Sequence, residues 1–144
     1  MPETWGSGVL AATAGTVAAA IWAGQQPLDK RLLGSTYDDV EMMGKLITWG
    51  PWRITGWALH LIAGAAFGML YARYVRPRSP AGPVVSGMAT AVAETLLLWP
   101  LAPLHDRLHP AREELPVLSG NRRAFAQAIW RHALYGGVLG AIVG

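Results

Sequence analysis

Gly56-Trp57-Ala58-Leu59-His60-Leu61-Ile62-Ala63-Gly64-Ala65-Ala66-Phe67-Gly68 carries one histidine, three glycines and no charged residue. The same pattern returns as Ala128-Ile129-Trp130-Arg131-His132-Ala133-Leu134-Tyr135-Gly136-Gly137-Val138-Leu139-Gly140. Both read His-x3-Gly-x3-Gly. Residues four apart share a helix face, so Gly56, His60, Gly64 and Gly68 form one small-residue stripe, and Ala124, Ala128, His132, Gly136, Gly140 and Gly144 form another. Small stripes let helix backbones approach closely, which is how helices associate where lipid supplies no hydrophobic drive. Both histidines are therefore expected to face protein. Ala11, Gly15 and Ala19 give the first apolar stretch the same property.

Working outward, further segments correspond in the same order. Ala12-Thr13-Ala14 with Trp22 matches Ala89-Thr90-Ala91 with Trp99, and Pro27-Leu28-Asp29-Lys30-Arg31-Leu32 matches Pro103-Leu104-His105-Asp106-Arg107-Leu108. The chain reads as one membrane domain, residues 1–144, built from two tandem helical hairpins, 1–76 and 77–144. Each unit has an even number of crossings. The copies then share one orientation about an axis along the membrane normal, and an inverted repeat is excluded.

The 144 residues are 52% apolar and only 15% charged, rich for a soluble domain of that size. A bilayer core of about 30 Å takes roughly 20 helical residues to cross. Four stretches of about that length are nearly free of charge: 8–24, 54–72, 84–104 and 124–144. The fold class expected is all-α, a polytopic bundle of four transmembrane helices. Residues 1 to 7 hold Glu3 and no Lys or Arg, so the basic flank of a cleavable signal peptide is missing. Without cysteine there is no disulfide framework, thiolate metal site or cysteine nucleophile. A pI near 9.7 reflects arginines beside helix ends, where anionic headgroups are a simpler partner than nucleic acid.

The connectors 25–53 and 105–123 are long. In the first, Ser35 or Thr36 is expected to cap a surface helix whose first turn holds Asp38, Asp39 and Glu41. Arg76-Pro77-Arg78-Ser79-Pro80 reads as a tight basic turn. Trp22, Trp49, Trp52 and Trp99 fall on the long-connector side and Tyr71 and Tyr74 on the other, giving two interfacial aromatic belts. Lys30, Arg31, Lys45, Arg53, Arg107, Arg112, Arg122 and Arg123 on the long-connector side outnumber Arg73, Arg76 and Arg78, which puts the long connectors inside and both termini outside an inner (cytoplasmic) membrane.

At about 1.5 Å per residue, His60 lies roughly 10 Å in from Arg53, His132 roughly 13 Å in from Arg123 and Glu94 roughly 15 Å in from Leu104. His60, Glu94, Arg131 and His132 thus form a candidate intramembrane polar layer. Ionisable groups at such depth cost a few kcal/mol or more and generally have a partner or a function. Glu94 and Arg131 read as a buried ion pair between the third and fourth helices. Alternatively, Glu94 is a relay or ion-binding carboxylate and Arg131 snorkels to the interface. The histidines bond to carbonyls or hydroxyls of neighbouring helices, or they transfer protons or bind metal. In one version of the last, His60 and His132 ligate a b-type haem from its two faces, with the glycines making room for the ring.

No phosphate-binding glycine loop, His-Glu-x-x-His or nucleophile elbow is present, so an enzyme is the weaker expectation. His105, Asp106, His109, Glu113 and Glu114 crowd the last connector, as a solvated loop or a surface metal site. His60-x3-Gly64-x3-Gly68 followed by Tyr71, a proline-containing turn, a third helix with Pro100, and His132-x2-Tyr135-Gly136-x3-Gly140 resembles the small four-helix membrane proteins of bacteria and archaea of the YagU kind, over about the last 90 residues. Arg131 and Glu94 depart from that pattern. The resemblance implies the fold and an inner-membrane location. The function expected is a non-enzymatic transport component or accessory subunit, alone with lipid, self-associated through small-residue faces or within a larger complex, and with no nucleic-acid partner.

Overall fold

A computed structural model describes residues 5–47 and 51–144, with side chains from residue 7 onward; Glu3 and Trp49 lie outside the described residues. Every regular element in them is helical. The elements are α1 (Trp5–Leu33), α2 (Asp39–Gly44), α3 (Trp52–Leu70), α4 (Pro83–Leu98), α5 (Ala102–Leu108) and α6 (Arg122–Val143). A wide π turn (Tyr71–Val75) and a 3-10 turn (Arg76–Arg78) prolong α3, and a 3-10 turn (Trp99–Leu101) joins α4 to α5.

Among the described residues, three helices are long and apolar enough to cross a membrane, Ser7–Leu33, Trp52–Arg78 and Pro83–Leu108. α6 has 22 residues but is not among them, because Arg122, Arg123, Gln127, Arg131 and His132 lower its apolarity. α6 packs on both α1 and α4, and α3 packs on α1. That central position explains the composition of α6, since its polar side chains meet protein. The distribution is inside-out for a water-soluble fold: Arg131 is 0% exposed and Gln127 0%, while Leu97 is 76% and Ile54 70% exposed. An apolar exterior this extensive suits a lipid surround.

Glycines set the closest helix contacts. A Cβ on Gly15 would overlap the Gly64 carbonyl, and one on Gly68 the Ala11 carbonyl. Between α4 and α6, a Cβ on Gly87 would overlap the Gly136 carbonyl, one on Gly136 the Gly87 carbonyl, and one on Gly140 the Pro83 carbonyl. A single shift along the chain carries Ala11 to Pro83, Gly15 to Gly87, Gly64 to Gly136 and Gly68 to Gly140. It also carries buried Ala14, Ala19 and Ala23 onto buried Ser86, Ala91 and Thr95. The register differs from the one that matches Ala12-Thr13-Ala14 with Ala89-Thr90-Ala91, in which similarity of small residues stands in for contact. Gly56 packs instead on α2, where its Cβ would meet the Val40 carbonyl.

Helix limits depart from expectation at the first connector. α1 does not end near Gly24; it passes through Pro27 to Leu33, so Asp29 rides on the helix. Proline costs the bond to the carbonyl one turn back, and the tertiary bonds of Asp29 described below offset that loss. Gly34, at φ 61, turns the chain out of α1 in the left-handed conformation that glycine adopts freely. The cap of α2 is Asp38, not Ser35 or Thr36: its carboxylate accepts the Glu41 amide at 2.9 Å.

Candidate functional site

Arg131 is the best-buried large side chain and does not pair with Glu94. Its Nε donates to Asp29 Oδ2 at 2.6 Å and its Nη2 to Asp29 Oδ1 at 2.7 Å, a two-pronged bond, while Nη1 donates to Asp39 Oδ2 at 2.5 Å and Nη2 also to the Tyr37 carbonyl at 3.0 Å. The expected Arg131–Glu94 pair gives way because α1 extends far enough to present Asp29, and α2 folds back to present Asp39. Gln127 and Gln25 each donate to Asp29 at 2.6 Å. Trp22 Nε1 donates to Asp39 Oδ2 at 3.0 Å, and the Tyr37 hydroxyl donates to Asp39 Oδ1. The Tyr37 ring lies 5.3 Å below the guanidinium. Two carboxylates surround one guanidinium, so the formal charge of this cluster is one negative.

Trp22 joins the cluster to the histidines. It is 7% exposed, in the core and not in an interfacial belt, because its indole N–H finds Asp39 there. Its ring meets His60 edge-on at 5.1 Å and His132 at 4.5 Å. Tyr71, also expected at an interface, is buried and donates to the Pro83 carbonyl at 3.0 Å. His60 Nε2 lies 3.1 Å from the Ala19 carbonyl, and His132 Nδ1 lies 2.8 Å from the Ala128 carbonyl. A carbonyl only accepts, so these nitrogens carry the protons. That leaves His132 Nε2 as the basic nitrogen, 3.7 Å from Glu94 Oε2. No other basic nitrogen of the described residues lies within 4 Å of that carboxylate. The structure therefore brings His60, His132 and Glu94 together beside Trp22, while Arg131, next in sequence to His132, turns to Asp29 and Asp39.

A cavity of about 350 Å³ opens beside the pair, lined by Trp22, Tyr37, Trp99, Glu94 and His132 among others, with a smaller one of about 100 Å³ adjoining it towards Tyr135. Tyr135 closes the inner end by donating to the Gly64 carbonyl at 2.6 Å. Met42 and Met43, both on the short helix α2, form part of the larger cavity's wall.

These positions do not suit a haem held by both histidines. His60 Nε2, the ring-tip nitrogen that would reach an iron, donates to Ala19, and the indole of Trp22 packs against both imidazoles. In the last connector, Asp106, His109 and Glu114 are committed elsewhere. Asp106 accepts the Leu118 amide at 2.9 Å and the Ser119 amide at 2.8 Å, His109 Nε2 reaches the Met42 carbonyl at 3.0 Å, and Glu114 pairs with Lys45 at 2.7 Å. No group of three metal-ligating side chains is present among the described residues.

Outside the apolar helices, the groups with displaced ionisation include Asp38 and Tyr37. Burial alone raises the carboxyl of Asp38, but the Lys30 ammonium and the Glu41 amide outweigh it and hold it below the usual range. Burial, reinforced by Asp39, pushes the Tyr37 phenol well above its ordinary value and keeps it a neutral donor.

Sequence reasoning missed Asp29, Asp39, Trp22 and Gln127. One signal was available: Gln127 and Arg131, like Gln25 and Asp29, stand four apart, so a polar stripe crosses each helix. Comparisons with protein-family models, curated proteins and solved structures gave no match to this chain.

Proposed function

We propose that this chain is a four-span inner-membrane protein, of the YagU kind, that acts as a proton-relaying transport component or accessory subunit and not as an enzyme. The observation that carries the reading is the Glu94–His132 pair. A carboxyl and a basic imidazole nitrogen 3.7 Å apart, at the wall of a cavity and beside a cluster with surplus negative charge, can share one proton between two sites. Either Glu94 holds it or His132 does. The fixed negative charge around Arg131 favours the arrangement in which a proton stays in the layer.

The common shift of the glycine contacts supports a duplicated hairpin, with α6 as the fourth crossing. Under that shift His60 corresponds to His132, and Trp22 to Glu94. One half then keeps an aromatic at the position where the other has a carboxyl, so only the second half can exchange a proton there. Gly8, Ala12, Thr16, Ala20 and Gly24 lie four apart on α1, each at least partly exposed, which supports close approach of a second copy or of another membrane subunit.

The test is proton flux into liposomes holding a pH-sensitive dye, driven by a potassium diffusion potential. Wild-type protein should acidify the lumen faster than empty liposomes, and Glu94→Gln should lose most of that rate, about tenfold or more. A Glu94→Gln variant with the full wild-type rate would end the relay reading.

A further inference from the structure

We infer that the larger cavity is a binding site for a small hydrophobic organic cation, an aryl- or alkylammonium, with Glu94 as its counter-charge. The inference deepens the proton-relay reading and rests on the same carboxylate. At about 350 Å³ the cavity falls in the range that takes a small ligand. Its walls supply what an ammonium with an apolar body requires. Trp22, Tyr37 and Trp99 present aromatic rings, while Leu98, Leu101, Leu118 and Met42 present aliphatic surface. No Lys or Arg of the described residues lines it. Of its two lining carboxylates among the described residues, Asp39 already serves Arg131, Trp22 and Tyr37, whereas Glu94 receives no hydrogen bond from any described residue and has His132 Nε2 as its one basic nitrogen within 4 Å among them. A cation seated there would gain a charge partner and ring faces.

His105 adds a second mark. It lines the same cavity, and its Nε2 is buried without a hydrogen-bond partner among the described residues. Neutral, that nitrogen is a free acceptor for an ammonium N–H. The groups facing the site that can titrate are Tyr37, Asp39, His60, Glu94, His105 and His132. Protonation of either carboxyl removes an attraction and protonation of any imidazole adds a repulsion, so all of them act in one direction: acidification expels the cation. A ligand and a proton would thus compete for one carboxylate.

The probe is radiolabelled benzyltrimethylammonium, which has no proton of its own to lose, measured by equilibrium dialysis against the full chain purified in detergent. Saturable binding of about one cation per chain is expected, weakened at least about tenfold in Glu94→Gln and at least about tenfold between about pH 8 and about pH 5. The uncharged analogue neopentylbenzene should not compete. Absence of saturable binding up to about 10 mM, equal affinity in Glu94→Gln, or equal competition by neopentylbenzene each overturns the assignment. Should Glu94→Gln fail to fold by helical circular dichroism, Trp99→Leu carries the test: a fivefold or greater loss of affinity is expected, and unchanged affinity refutes the site. Proton flux is measured without the amine, so intact flux without cation binding removes this inference alone, and cation binding without flux removes the relay alone.

Discussion

At the scale of single residues, the largest energies sit in the Arg131 cluster. A charge taken out of water costs several kcal/mol, and only the excellent geometry around Asp29 and Asp39 offsets it. Arg131→Leu leaves two buried carboxylates facing each other without a cation and should cost about 3–5 kcal/mol, read as a large drop in the thermal midpoint in detergent. Glu94→Gln keeps shape and breaks no hydrogen bond with the described residues, so it should leave that midpoint nearly unchanged; comparable destabilisation by the two substitutions would contradict the division of roles. Asp38 supplies the pH dependence. Its carboxyl is held below its unfolded value, so its contribution is complete above about pH 4 and is lost as pH falls through the lowered folded value. Acid melting followed by circular dichroism should therefore shift in Asp38→Asn, which has no such group to protonate, towards a flatter profile below about pH 4.

At the scale of elements, glycine placement decides which helix pairs touch. Gly136→Ala would drive a Cβ into the Gly87 carbonyl and push α4 off α6, and should cost about 1–3 kcal/mol as overpacking. Gly24→Ala meets nothing within 4 Å and should be neutral or stabilising by up to about 1 kcal/mol, through the better helix propensity of alanine. Unfolding of both variants in denaturant at fixed detergent would check the contrast. The stripes through Gly15, Gly64, Gly68, Gly136 and Gly140 are legible in sequence because four-residue spacing is a local property. What α1 does after Gly24 is not. Gln25-Gln26-Pro27 followed by Asp29, Lys30 and Arg31 has the composition of an exit from the bilayer, and only the presence of Arg131, far away in sequence, gives Asp29 a reason to remain helical. Likewise the expected pairing of Glu94 with Arg131 matched depths counted along separate helices. Depth says nothing about rotation: His132 and Arg131 are adjacent in sequence, yet His132 meets the Trp22 ring while Arg131 turns to Asp29 and Asp39.

At the scale of the whole molecule, the arrangement is α3, α1, α6 and α4, with the least apolar long helix enclosed by the others. The sequence reading of an all-helical, membrane-compatible chain rests on the abundance of apolar residues, and composition is insensitive to the details that misplace a helix end. Orientation is a separate matter, carried by the lysine and arginine count. The natural absence of cysteine makes it measurable, since any introduced cysteine is unique. Ser119→Cys should resist a membrane-impermeant maleimide added to intact cells, and Ser79→Cys should react with it; the opposite pattern would reverse the topology.

The enclosure of α6 also bears on how the chain is made. A helix bearing Arg131 and His132 partitions poorly into lipid by itself, at a cost of about 2.5–3.5 kcal/mol for a central arginine on the insertion scale. Its counter-charges, Asp29 and Asp39, are translated long before it. On the proposed four-span reading, biogenesis has an order: the early segments leave the ribosome first and wait with an acidic surface in the bilayer, and the last segment enters by docking against them. A nascent chain whose Asp29 and Asp39 are both neutralised should release its C-terminal segment to the aqueous side, detectable as gain of protease sensitivity at the C-terminus.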